Sequence, residues 1–266
     1  MSAIHAPTLA SETIAHIGHL EIRNTLIMAW ITMALLIGIA IVGRVRGYKR
    51  IPGRFQTLLE AVIEGLFDFF DSILQDRKLT KKVFPMVTTF FLFIMVANWL
   101  GIIPGVGSIT VEGMHNGHMM DLPILRSMNA DVNVTLAFSL ISVIATQLIG
   151  VSAIGILPHL GKYFVAPWKS PIGTFVGFLE FLGEFTRLVS FSFRLFGNIF
   201  AGEVLLVVVS FLIPYAIPIP FLGLEIFVGF IQALVFCLLT LAFIKMSTTA
   251  HGDHDHDAAH STPAHA

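Results

Sequence analysis

The sequence predicts an all-α integral membrane protein with about five transmembrane helices, one amphipathic interfacial helix, and a long tilted helix that carries an arginine. Three observations predict it. Of the 266 residues, 55% are hydrophobic and only 12% charged, and a mean hydropathy of +0.83 lies far above that of a water-soluble domain. Apolar runs of the length a bilayer demands, about 20 residues, recur along the chain. Lys and Arg gather in alternate connections between those runs, the asymmetry that sorts cytoplasmic from external loops.

Residues 1–25 are polar, without the basic start and apolar stretch of a cleavable leader, and read as an external N-terminal segment. Residues 26–43 (LIMAWITMALLIGIAIVG) carry no charge and form the first span. The segment RVRGYKRIPGR that follows holds Arg44, Arg46, Lys49, Arg50 and Arg54, the densest basic cluster, and marks the cytoplasmic side. Over 55–82 apolar residues recur at helical spacing while Glu60, Glu64, Asp68, Asp71 and Asp76 line the other side, which predicts the interfacial helix. Residues 84–104 and 132–155 are the next two spans, joined by a polar external loop over 105–131.

After the short basic connection GKYFVAPWKSP, residues 172–213 are too long for one perpendicular helix and too short for two helices with a turn. One steeply tilted helix fits that length. The segment PYAIPIP ends it, and 221–246 is the last span, so that 26–246 form a single membrane domain. The tail 247–266, rich in His and Asp, reads as a disordered cytoplasmic end. On this topology twelve of the 16 Lys and Arg residues lie inside and two, Arg23 and Arg126, outside; Arg187 and Arg194 remain within a span.

An arginine in hydrocarbon costs about 2.5–3.5 kcal/mol on insertion scales, so it is paired, hydrated or at work on ions. At 100° per residue Arg187 and Arg194 share a helix face, Glu180 lies close to it, and Ser190 and Asn198, one turn either side of Arg194, extend the same polar strip. Glu203 is nine residues from Arg194, on the opposite side of the helix and about 13.5 Å along it, so the two cannot pair on their own helix. On the last span Glu225 and Gln232 share a face that would meet Glu203 if the two helices are antiparallel neighbours. For Arg187 the plainer reading is a pair with Glu184 or Glu180, and for Asn98, Asn133 and Gln147 an interhelical hydrogen bond. Arg194, Asn198 and Glu203 within ten residues of an apolar helix are harder to explain as packing.

Several functions are excluded or left unsupported. A net charge of -1 argues against nucleic-acid binding, and the lone Cys237 permits neither a disulfide framework nor a cysteine zinc site and reads as a small buried hydrophobe. His115 and His118 in MHNGHMM and the histidines of the tail form no defined ligand set, so no cofactor or metal enters the site. No HExxH and no serine–histidine pair within the spans supports an intramembrane hydrolase. The absence of an internal repeat weighs against a secondary transporter or autonomous ion channel, the main alternative, which would work alone. A purely structural membrane subunit would tolerate loss of Arg194.

The stretch SFSFRLFGNIFAGE (190–203), with FIQALVF at 230–236 and NADVNVTL at 129–136, resembles the F-type ATP synthase subunit a family over nearly the whole chain after residue 20. The resemblance implies a non-catalytic, proton-translocating subunit that forms two half-channels against a ring of c subunits, with a peripheral stalk of subunit b or b/b′ and the rest of the F1Fo complex as partners. It implies a bacterial inner-membrane protein with the N-terminus outside and the C-terminus in the cytoplasm. Arg194 matches the essential arginine facing the ring, Ser190, Asn198 and Glu203 the polar positions around it, and Gln232 the glutamine of the last helix. Asn98, Asp131 and Asn133 match polar positions of the half-channel away from the catalytic head, and Glu180 an acid near the other. There are departures: some members carry histidine at the position of Glu225, and some an aspartate at that of Gly101.

Overall fold

The computed structural model describes residues 11–17, 20–45, 53–103, 106, 109–115, 118–163, 171–213 and 217–248. In chain order these form β1 (Thr13–Ile17), β2 (Leu20–Arg23), α1 (Asn24–Val45), α2 (Arg54–Leu74), α3 (Arg77–Ile102), β3 (Thr110–His115), β4 (His118–Pro123), a 3-10 turn (Met128–Ala130), α4 (Val132–Ile154), α5 (Ile156–Tyr163), α6 (Pro171–Leu212) and α7 (Pro218–Thr248). Five of the helices, α1, α3, α4, α6 and α7, are long and apolar enough to cross a membrane. α6 is one unbroken helix of 42 residues, roughly 63 Å at 1.5 Å per residue, about twice the hydrocarbon thickness, so it lies oblique or projects beyond it.

The expected single helix over 55–82 is two. α2 stops at Leu74 because Gln75 turns left-handed (φ 57°) with its N–H on the Asp71 carbonyl, and Asp76 then caps α3 by accepting from the N–H groups of Lys78 and Leu79. The basic residues 77–82 therefore belong to the second span, which begins seven residues before its apolar run. Thr80 Oγ1 donates to Asp71 Oδ1 at 2.8 Å and locks the corner. α2 buries Phe70 and Leu74 against its neighbours but leaves Leu58, Val62, Ile63 and Phe69 uncovered, the apolar face an interfacial helix presents to lipid.

The loop expected over 105–131 holds an antiparallel hairpin, β3–β4, and the 3-10 turn, and the N-terminal segment holds a second hairpin, β1–β2. The tail beyond 248 lies outside the described residues. α4 ends at Gly155, whose φ of 95° suits glycine, and the short α5 follows where only a connection was expected.

α7 packs against α2, α3, α4 and α6, and α4 against α6. Phe236 joins three helices, its ring 5.7 Å from Phe90 of α3 and 5.2 Å from Phe191 of α6. Around it Val83, Val87, Ile94, Leu195, Cys237, Leu241 and Ile244 complete the main core, Cys237 as the buried small hydrophobe expected. Lipid tails are as apolar as leucine, so cohesion here comes from close packing and from hydrogen bonds between helices. Thr135 and Ser192 join α4 to α6 at 3.1 Å, and Ser142 and Thr240 join α4 to α7 at 2.9 Å. α1 is shallowly embedded, buried only along Asn24, Thr25, Met28 and Thr32.

Because consecutive spans alternate in direction, both hairpins and the 3-10 turn gather at one rim. α2 and α5 lie at the other, where Lys245 near the end of α7 donates to the Ile73 carbonyl at 2.9 Å.

Candidate functional site

Phe191, Ser192, Leu195 and Phe196 are buried and fix the rotation of α6 about its axis. That rotation leaves Ser190 and Asn198 exposed and Arg194 half-buried, so the polar strip opens outward from the chain. Arg194 donates to Ser190 Oγ at 3.4 Å, and it belongs to none of the ion pairs among the described residues. Asn198 reaches across to α7, its Nδ2 2.5 Å from Oε1 of the buried Gln232.

Four residues further along α6, and seven back along α7, the antiparallel pair brings Glu225 against Gly202. A Cβ at Gly202 would collide with the Glu225 carboxylate, which thus occupies the space that a side chain at 202 would fill. Glu203, the adjacent residue, turns to the hairpin rim instead. Arg126 holds it there, with Nε 3.2 and 3.3 Å from the two carboxylate oxygens and Nη2 3.1 Å from Oε2. The Arg126 side chain is 5% exposed and that of Glu203 27%.

Asn98 donates to the Gly229 carbonyl at 3.0 Å and accepts from Asn129 Nδ2 at 2.6 Å, tying α3 to α7 and to the 3-10 turn. Asp131 caps α4 on the N–H of Asn133 and accepts from Ser11 Oγ at 2.5 Å and Thr25 Oγ1 at 3.2 Å. The Asn133 side chain is exposed.

Glu180 stands apart from these, near the other rim. Arg187 pairs with Glu184 at 2.9 Å and stacks 3.5 Å from the Phe243 ring centroid, which accounts for it as packing. Gln147 accepts from Tyr163 at 3.2 Å and lies 2.6 Å from His159 Nε2. Burial and then the Glu184 and Glu180 carboxylates push the Tyr163 phenol up to about 12.

The structure thus gathers Glu203, Glu225, Asn198 and Gln232 along the α6–α7 seam, with Asn98 close behind on α3. It leaves Arg194 and Ser190 on the open face and Glu180 at the far rim. Sequence reasoning missed Arg126, Asn129 and Gly202. One signal for Arg126 was present: Glu203 cannot pair with Arg194 on its own helix, and only Arg23 and Arg126 stand among the cations of the external segments.

The family model of the ATP synthase A chain matches residues 26–245. The ATP synthase subunit a of Gloeobacter violaceus is 35% identical over 239 residues, covering 90% of this chain and 89% of the relative. That of Syntrophobacter fumaroxidans is 34% identical over 217 residues, 80% of each chain. That of Desulforamulus reducens is 35% identical over 248 residues, 90% of this chain and 85% of the relative. With a matching family model across its five candidate spans, this multi-pass membrane protein belongs to the ATP synthase A chain family.

Proposed function

We propose that the chain is the proton-translocating, non-catalytic subunit a of an F-type ATP synthase in a bacterial inner membrane. Its partners are a ring of c subunits, a peripheral stalk of subunit b or b/b′, and the remainder of F1Fo. The single observation that carries the reading is Arg194, a cation on the open face of a membrane-spanning helix and outside every ion pair among the described residues. A cation in that position is expensive unless it meets an anion from elsewhere.

A ring carboxylate passes through lipid only when protonated. Opposite Arg194 it gives up its proton, and the fixed cation also bars a direct leak between two half-channels. Ser190 and Asn198 hold the strip around Arg194, and Gln232 holds Asn198. Glu203 and Glu225, with Asn98, Asp131 and Asn133, line access from the hairpin rim, and Glu180 lines access from the other. Arg44, Arg54, Arg77, Lys78, Lys81, Lys82 and Lys245, on the elements that meet at the rim of α2 and α5, favour that rim as cytoplasmic, and the reading takes the N-terminal segment (1–25) as outside and the tail (247–266) as inside. Each charge crossing 100 mV releases about 2.3 kcal/mol, so several protons drive each ATP made.

ATP-driven acidification of inverted membrane vesicles tests the reading with Arg194→Lys and Arg194→Ala in the assembled complex. Pumping lost at normal complex content is expected. Near-normal pumping by Arg194→Ala would leave Arg194 a structural role and sink the assignment.

A further inference from the structure

We propose that Arg126 is a positioning residue of the proton path: it anchors the Glu203 carboxylate to the rim and leaves Glu225 as the acid that takes and passes the proton. The inference rests on the proton-translocating reading above and assigns a role to a residue outside α6 and α7.

Three features separate this contact from an ordinary surface ion pair. First, Arg126 is almost wholly buried and engages both carboxylate oxygens with two of its nitrogens, a fork that fixes orientation as well as distance. Second, the segment that carries it is pinned on the side of the 3-10 turn. Ser127 lies so close to Gly101 of α3 that a Cβ there would come within 2.7 Å of its own. Asn129 is bonded to Asn98, and Asp131 to Ser11 and Thr25. Arg126 is thus held before Glu203 meets it, which is what a positioning group needs.

Third, the two acids are treated differently. Glu203 accepts three hydrogen bonds from the guanidinium, whereas among the described residues no donor reaches Glu225, whose carboxylate rests on the backbone at Gly202. A protonated Glu203 would surrender at least one of those bonds and the attraction of its charge to the guanidinium, a costly change for a buried pair. Glu225 has no such partner to abandon. Among the described residues the charged groups facing Glu203 are Arg126 from the rim and Glu225 from α7; α4 carries no charged residue, and Asp131 is held by Ser11 and Thr25. A hydronium arriving from the rim gives its proton to a Glu225 oxygen and leaves as water. Glu225 returns to the carboxylate by handing that proton to the acid of the proposed ring.

The test compares Arg126→Gln, Arg126→Lys, Glu203→Gln, Glu225→Gln and Arg126→Gln/Glu203→Gln in the assembled complex in inverted vesicles, reading complex content, ATP-driven pumping and its pH profile. Arg126→Gln is expected to pump about tenfold less at normal content, with its pH profile displaced by about one unit, and Arg126→Lys to recover much of the loss. The double variant should pump no worse than Arg126→Gln alone, because one pair is removed either way. Wild-type rate and profile in Arg126→Gln, or a double variant that loses the product of the two single losses, overturns the proposal. Should Arg126→Gln fail to assemble, the double variant neutralises both members of the pair and decides by its profile: displaced supports the proposal, unchanged overturns it. Normal pumping by both Glu203→Gln and Glu225→Gln would instead overturn the proton-path reading itself, whatever Arg126 does.

Discussion

Replacing Asn98 by Ala removes the joint between α3, α7 and the 3-10 turn, and the structure sets the size of the effect. Asn98 loses its bond to the Gly229 carbonyl at 3.0 Å and its acceptor role for Asn129 at 2.6 Å. The first loss is mild, because that carbonyl sits within a continuous helix and an interhelical bond in a membrane averages about 0.6 kcal/mol. The second is larger. Asn129 is 0% exposed and its Oδ1 already has no partner among the described residues, so its whole amide is left buried and unsatisfied, at about 1–3 kcal/mol. Together the change costs roughly 2–3 kcal/mol, or about 30- to 150-fold in the folded-to-unfolded ratio.

The assay is unfolding of the full chain in mixed micelles of rising SDS content. It is followed by the fluorescence of Trp99, whose Nε1 donates to the Ile226 carbonyl at 3.1 Å, in a Trp30→Phe/Trp168→Phe background. Asn98→Ala/Asn129→Ala completes a double-mutant cycle, and its cost should fall short of the sum of the single costs by about 1–2 kcal/mol. A loss under about 0.5 kcal/mol in Asn98→Ala, or additivity within that margin, would refute the reasoning.

Two further outcomes follow from the same seam and from the far rim. Gly202→Ala displaces the Glu225 carboxylate, a flexible group that moves cheaply, so complex content should stay normal while ATP-driven pumping falls about tenfold or more; a substitution without effect on pumping removes Glu225 from the path. Tyr163 stays protonated at pH 7 in both the folded and unfolded chain. Between its ordinary 10.0 and about 12 the unfolded phenol ionises first, so stability falls as pH rises through that window. The slope is at most about 1.4 kcal/mol per pH unit and less for a half-exposed group. Tyr163→Phe should flatten the loss between about pH 10 and 12 in the same unfolding assay, and an unchanged alkaline limb would contradict the assigned surroundings.

The sequence by itself determined the number of spans, their order and the polar strip of α6, because bilayer thickness and helical periodicity act on local runs of residues. Lipid admits few polar groups, so Arg194, Asn198 and Glu203 stood out against a background that explains nothing else about them. The spacing of seven between Glu225 and Gln232 likewise showed a common face. Local chemistry that competes with periodicity was harder to read: the left-handed Gln75 and the Asp76 cap split a run whose apolar pattern continues past them.

Only the tertiary structure decided who meets whom. It set α6 and α7 antiparallel with Asn198 on Gln232 and Gly202 on Glu225, and gave Glu203 an arginine 77 residues away in sequence. It also separated Arg187, satisfied by Glu184 and Phe243, from Arg194, seven residues on, which the chain leaves open. The physical reason is the same in each case. Periodicity fixes the face on which a side chain lies, but the partner depends on the rotation and register of a second element, and those are set by packing around Phe236 and by the interhelical hydrogen bonds of buried serines, threonines and asparagines.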